Sequence, residues 1–244
     1  MIALSMADGD TEDRSHEGAS YRDDTARALD VTATLSDASL VVASNRERCY
    51  SSETAPEWLD VVVRTDKGRN YARNRAIEEA ENEWIIVADD DITFPTRLAA
   101  HLVDSMHEFQ VVGLEDFWPM RWTLTRFMIF HRSLWERVGG FDEHREHGGD
   151  TDFAIRAEKA GAEVHRLPRR IVPHHDTESD FDVGTHLEWL FYLFKRHPKQ
   201  VAVPALKLAL AKVNVISPSK IEYDASWAGD VFSLSDTDDA PLDH

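Results

Sequence analysis

The sequence predicts a mostly parallel α/β sheet flanked by helices, and three observations lead there. Short runs of apolar and β-branched residues recur along the 244-residue chain. Segments rich in Ala, Arg, Glu and Leu separate them, and Gly or Pro marks many of the joins. Leu40–Ser44 and Asp60–Arg64 read as the first two strands. Gly68 makes a turn before a helix over Tyr71–Glu83, and Trp84–Ala88 is the third strand. Pro95 opens a helix over Thr96–Phe109. Val111–Leu114 and Arg126–His131 are further strands, followed by a short helix at Ser133–Val138. Gly139-Gly140 breaks the chain. Thr151–Ala160 is helical and stops at Gly161. Glu163–Leu167 and Arg170–Val172 are short strands, and Leu187–Arg196 and Ala205–Val215 are C-terminal helices, the second starting at Pro204.

Charge divides the chain. Residues 1–37 hold nine acids against three Arg, and residues 222–244 hold seven acids and no Lys or Arg, within a net charge of −18. Both ends are expected to be acidic and disordered. The domain is expected over 38–185, with C-terminal helices over 186–221. The overall acidity excludes a nucleic-acid footprint, so no nucleic-acid partner is expected. The single Cys49 excludes an intramolecular disulfide and a Cys-rich zinc site. Met1–Asp10 lacks the progression of a secretory signal, and no apolar run reaches membrane-spanning length. The expected location is the cytoplasm. Residues 186–220 carry six Lys/Arg and the single acid Glu188, with Leu206, Leu210 and Val213 at helical spacing. A helix packed on the domain with a wet lysine face is the plainer reading. Peripheral contact with an anionic membrane face is the sharper one.

Four stretches carry chemistry. Trp84–Ala88 runs directly into Asp89-Asp90-Asp91, at the strand end where open α/β sheets bind ligands. Adjacent carboxylates repel unless a cation sits among them, and oxygen ligands favour Mg²⁺ or Mn²⁺. A solvated acidic turn is the plainer alternative. Gly68–Asn74 opens a helix and brings arginines to an anion-binding helix start. Gly139–Glu143 is followed by Gly148-Gly149-Asp150-Thr151-Asp152, where an Asp also serves as an ordinary N-cap. His174-His175 follow a strand and are candidate metal ligands.

In this order, these stretches resemble the GT-A glycosyltransferases, specifically the family 2-like enzymes with a galactosyltransferase-type C-terminal motif. The matching pieces are Ala72-Arg73-Asn74, Ile85–Asp91, Gly139–Glu143, Gly149–Asp152 and His174-His175, over about residues 38–176. The resemblance implies a GT-A, Rossmann-like fold. It also implies an inverting transfer from a nucleotide sugar, most simply a UDP-sugar, to a glycan or lipid-linked acceptor. Asp91 is the first choice for Mn²⁺ or Mg²⁺ and Asp89 the second, with His174 or His175 completing the set. Asn45, Asp66, Arg73, Asn74, Asp89 and Asp90 are expected at the nucleotide sugar. Asp150 matches the general base.

The chain also departs from the family pattern. Arg46–Trp58 is short and holds Pro56, so its helix is expected to be truncated. Gly149 stands where a Glu is common. These departures keep open a GT-A-like protein that binds nucleotide sugar or glycan without catalysis. A nucleotidyltransferase is disfavoured, because Ser44-Asn45-Arg46 lacks a glycine-rich phosphate loop.

Overall fold

The computed structural model describes residues 29–144, 148–175 and 183–217. Six strands form one sheet in the order β2-β1-β3-β5-β4-β6. They are β1 (Ala38–Ala43), β2 (Asp60–Arg64), β3 (Trp84–Ala88), β4 (Gln110–Glu115), β5 (Thr123–His131) and β6 (Glu163–Leu167). β1 pairs in parallel with β2 and β3, and β4 with β6, while β5 runs antiparallel between β3 and β4. Five strands therefore share one direction, and their C-terminal ends lie along one edge.

Both faces of the sheet are covered, which is why its strands read as continuous apolar runs. Leu40, Val42, Ile86, Phe127, Ile129 and Val112 face one layer, which contains α1 (Val31–Leu35) and α4 (Thr96–Ser105). Val41, Ile85, Val87, Val111, Met128 and Phe130 face the other, formed by α3 (Arg69–Glu79), α5 (Arg132–Val138) and α6 (Gly149–Lys159). Phe153 of α6 is fully buried there, 4.9 Å from the Phe130 ring and 4.6 Å from Phe141. Truncating such a side chain to Ala costs about 3–5 kcal/mol. A third apolar cluster joins Trp122 and Ile155 to Trp189, Tyr192 and Leu193 of α7 (Val183–Arg196) and Val201 of α8 (Pro198–Lys212).

Several boundaries differ from expectation for identifiable reasons. The folded unit begins before residue 38. Asp30 Oδ1 caps α1 by accepting from Ala33 N at 3.1 Å, and Leu35 is buried in the core. The rest of the expected N-terminal segment, residues 1–28, and the tail 222–244 lie outside the described residues. α3 ends at Glu79 rather than Glu83. The Arg132 guanidinium there takes the carbonyls of Ile77, Ala80 and Asn82, which satisfies the helix end from the side. The stretch Arg170–Val172 is not a strand. Arg169–Ile171 makes a 3-10 turn, with Ile171 N donating to Pro168 O at 3.2 Å. α8 starts at Pro198, not at Pro204, because Pro198 already suits a first helical position; Pro204 lies inside the helix. The segment between β1 and β2 holds only the five-residue α2 (Tyr50–Thr54), the expected truncation.

Candidate active site

The loops leaving β1, β2 and β3 surround a cleft of about 570 Å³. Asn45 and Arg46 line it from β1, Asp66 from β2, and Asp89, Asp90 and Asp91 from β3. Gly68 and Arg69 bring the start of α3 to the same cleft. A helix N-terminus with an arginine beside it favours an anion.

The three aspartates have different surroundings. Asp89 Oδ1 accepts from Arg73 at 2.9 Å, and Arg73 is almost wholly buried. Burial alone would raise the Asp89 pKa, but Arg73, Arg69, Arg126 and His174 outweigh it and hold the carboxyl below its usual value. Asp90 is tied into the loops. Its Oδ2 accepts from Ser44 Oγ at 2.5 Å, and its carbonyl accepts from Tyr50 N at 2.7 Å. Asp91 is buried beneath them, and its Oδ1 accepts no hydrogen bond from the described residues. Burial pushes the Asp91 carboxyl up; His174 and Arg46 oppose this, while Asp89 and Asp90 add to it.

His174 completes the cluster, with Nδ1 3.7 Å from Asp91 Oδ2. A backbone bridge between Ile92 and His174 holds it there. Ligand atoms of Asp89, Asp91 and His174 all lie within 4.8 Å of one another. His175 is placed elsewhere. Its Nε2 is 2.7 Å from Thr93 Oγ1, and its ring stacks on Tyr50 at 4.3 Å. Of the two expected metal histidines, His174 lies with Asp89 and Asp91, whereas His175 contacts Thr93 and Tyr50. Two carboxylates and an imidazole around an orphaned buried oxygen fit a divalent cation.

Two other expected residues are engaged by partners within the protein and do not line the cleft. Asn74 does not reach the cleft. Its Nδ2 donates to Phe141 O and Glu143 Oε1, each at 2.9 Å, and its Oδ1 accepts from Phe141 N and Trp135 Nε1. It clamps the Gly139–Glu143 turn. Arg73 lies under Asp89, pairs with that carboxylate and is not among the residues lining the cleft. Arg69, one turn earlier on α3, lines the cleft instead. Its position at the helix start was the available signal. Asp66 lines the cleft while its carboxylate takes a fork from Arg64, at 2.7 and 3.1 Å.

Asp150 lies in the first turn of α6, partly exposed, with Oδ1 accepting from Thr151 N at 2.9 Å. Close packing fixes this turn. A Cβ on Gly149 would come within 2.0 Å of Asn70 Nδ2, so Asn70 fills the space a larger side chain would need. A Cβ on Gly148, which has φ +80°, would meet the Trp189 ring at 2.3 Å. Asp150 acts electrostatically on both Arg73 and the buried Asp116. Asp116 follows β4 and was absent from the sequence-based candidates. Its Oδ2 accepts from Thr151 Oγ1 at 2.8 Å and its Oδ1 from Phe117 N at 2.7 Å. Burial, and then Asp150, push its pKa up to about 7. Asp152 is fully buried against Arg156, Arg196 and His197, at 2.8, 3.1 and 2.8 Å.

An open α/β sheet with a carboxylate–histidine cluster and an arginine-lined cleft at its strand ends is the GT-A arrangement. Residues 34–159, just over half of the chain, match the family model described as glycosyl transferase family 2, and the chain belongs to that family. No curated protein matches it. Similar solved structures include the catalytic domain of Drosophila β1,4-galactosyltransferase 7 with xylobiose. That match has 17% identity and a TM-score of 0.44, covering 59% of this chain and 76% of the other. The mannosyltransferase PcManGT from Pyrobaculum calidifontis, with GDP-Man and Mn²⁺, is 15% identical with a TM-score of 0.46, covering 81% and 68%. Staphylococcus aureus TarS 1–349 with UDP is 17% identical with a TM-score of 0.38, covering 50% and 54%. Among the described residues, no helix is long and apolar enough to cross a membrane.

Proposed function

We propose that this glycosyltransferase is an inverting, metal-dependent enzyme that takes its sugar from a nucleotide-sugar donor. The observation that carries the reading is Asp91. Its carboxylate has one buried oxygen, Oδ1, without a hydrogen-bond donor among the described residues, and it clusters with Asp89 and His174 beside a cleft that the start of α3 and Arg69 also line. Asp89, Asp91 and His174 are the residues that would hold the cation, and the imidazole nitrogen favours Mn²⁺ over Mg²⁺. When bound, the cation neutralises charge on the diphosphate as the glycosidic bond breaks.

The chain supplies the rest. Asn45 and Asp66 offer polar atoms to the nucleoside end of the cleft, and Arg69 with the α3 amides offers positive charge to the diphosphate. Arg73 keeps Asp89 ionised. Asp150 acts as general base. It takes the proton of the acceptor hydroxyl while that oxygen bonds to the anomeric carbon, and the bond electrons leave with the diphosphate oxygen. One displacement from the opposite face inverts the anomeric centre. A glycan or a lipid-linked alcohol supplies that hydroxyl.

Calorimetric titration of UDP- and GDP-sugars tests the reading, with Mn²⁺ and with chelator, followed by a transfer assay on the donor that binds. The expected result is binding that requires Mn²⁺ and product of inverted configuration. Equal affinity in chelator overturns the metal assignment. Metal-dependent binding without turnover on any glycan or lipid-linked alcohol transfers the reading to a non-catalytic binding protein.

A further inference from the structure

The two C-terminal helices bury one side and leave the other bare. On α7, Trp189, Tyr192 and Leu193 pack into the domain. Leu187, Phe191 and Phe194 follow at i, i+4 and i+7 on the outer side, and Phe191 is 70% exposed. On α8, Val203 and Leu206 follow at i and i+3, and Leu206 is 60% exposed. Large apolar side chains aligned in this way on an outer face are unusual for a lone water-soluble surface.

The charge beside these stripes separates the candidate occupants. Lys195, Lys199 and Lys207 are all exposed next to the apolar residues. Residues 186–220 carry six Lys/Arg against Glu188, in a chain whose net charge is −18. A second copy docking through the same face would set lysine against lysine. An anionic lipid surface instead accepts the Phe and Leu side chains below its headgroups and the lysines among its phosphates.

We propose that the outer faces of α7 and α8 dock on an anionic membrane surface. The helices are not free appendages. Trp189 of α7 packs on Gly148, two residues before Asp150, and Arg196 of α7 pairs with Asp152 at 3.1 Å. Docking therefore fixes the α6 turn relative to the lipid surface. The proposal stands without the catalytic reading, because it needs only the exposed face.

Sedimentation of the full chain with vesicles tests it, comparing phosphatidylcholine alone with phosphatidylcholine containing about one third phosphatidylglycerol, a composition in the range where polybasic segments bind. The expected result is binding to the anionic vesicles only. F191Q/L206Q and, separately, K199E/K207E are each expected to lower the partition coefficient by about tenfold or more. These positions are exposed, and unchanged thermal unfolding verifies that the variants fold. Raising the salt should remove the lysine contribution and leave the apolar one. A full chain that stays in the supernatant, or variants that bind like the parent, overturns the proposal. So does a concentration-dependent dimer that F191Q/L206Q dissolves, which would give the face to a second copy.

Discussion

The strand-end edge carries two groups of acids whose surroundings are opposite. On the β3 side, Asp89 is held ionised by Arg73, and Asp91 keeps a buried oxygen with no hydrogen-bond donor among the described residues. On the β4 and α6 side, the hydrogen-bond donors to Asp116 among the described residues are the neutral Thr151 Oγ1 and Phe117 N; burial and Asp150 outweigh the charge of Arg169, and Asp116 holds its proton near neutrality. Asp152, next to Thr151 on α6, is buried more completely than Asp91 but is enclosed by Arg156, Arg196 and His197. The residue type is the same throughout. What differs is whether the protein supplies the countercharge, withholds it, or leaves room for it to arrive from solution. Only the last arrangement is suited to an exchangeable cation.

The largest expected effect is at Asp150, the one acid of this second group that reaches the surface. Asp150→Asn should leave metal-dependent donor affinity within about twofold and lower kcat by about 10²–10⁴, the range for losing a general base. Steady-state transfer assays with donor titration separate the two quantities. Turnover at the native rate would move the base elsewhere and dissolve the contrast between the two acid groups.

Asp152 should instead govern stability. Lys159 Nζ lies 2.7 Å from His197 Nδ1 and can only donate, so Nε2–H of His197 donates to Asp152 at 2.8 Å. Burial, resisted by Asp152, lowers the His197 pKa, which agrees with a neutral ring in this tautomer. Asp152→Ala would leave Arg156 with the carbonyls of Val138 and Gly140 and Arg196 with Asp142, removing a buried countercharge, and should destabilise the fold by about 3 kcal/mol. Urea unfolding measures this. A change below about 1 kcal/mol would mean that water takes over its role.

Asp91→Ala ranks next, with an expected loss of about a hundredfold in Mn²⁺-dependent donor affinity by calorimetry, matching the upper range for disturbed metal sites. His174→Ala should follow it, and His175→Ala should not. If His175→Ala matched Asp91→Ala, the assignment within the histidine pair would be reversed.

The histidine pair also illustrates which parts of the site are legible in a sequence. Adjacent residues in extended backbone point to opposite sides, so one histidine had to face the acids and the other away. The order depends on the bridge between Ile92 and His174, a contact between distant residues. Strands β2 and β3 are readable to the residue, because each is a short run of β-formers with polar or turn residues beside it; β6, Glu163–Leu167, is readable from Gly161 before it and Pro168 after it. Arg73 and Arg69 are one helical turn apart on α3. Spacing places both on one side, but only packing decides that Arg73 goes under Asp89 and Arg69 into the cleft. Asn74 looks like ligand chemistry and is spent on a turn 67 residues away. Asp116 has no local signature, since its importance comes from Thr151 and Asp150 on α6.

The smallest effect should come from Asp116, and it tests the comparison most directly. Its folded-state pKa, about 7, lies above the 3.8 of an ordinary carboxyl. Below about pH 4 both folded and unfolded forms carry the proton, so the group contributes no pH dependence. Between about pH 4 and pH 7 the unfolded chain releases its proton while the folded chain keeps it. The folded state then binds more protons, and stability must fall as pH rises. Between pH 5 and pH 7 this fall should approach about 2 kcal/mol, and above pH 7 it should level off. Asp116→Asn keeps the shape and the acceptor for Phe117 N but cannot ionise. Its advantage in unfolding free energy over the parent should grow by about 2 kcal/mol between pH 5 and pH 7, with Asp150-dependent turnover retained. Identical pH profiles for parent and variant would mean that Asp116 is ionised in the fold. The charge of Arg169 would then outweigh burial and Asp150, as the arginines do for Asp89, and the contrast between the two acid groups would fail.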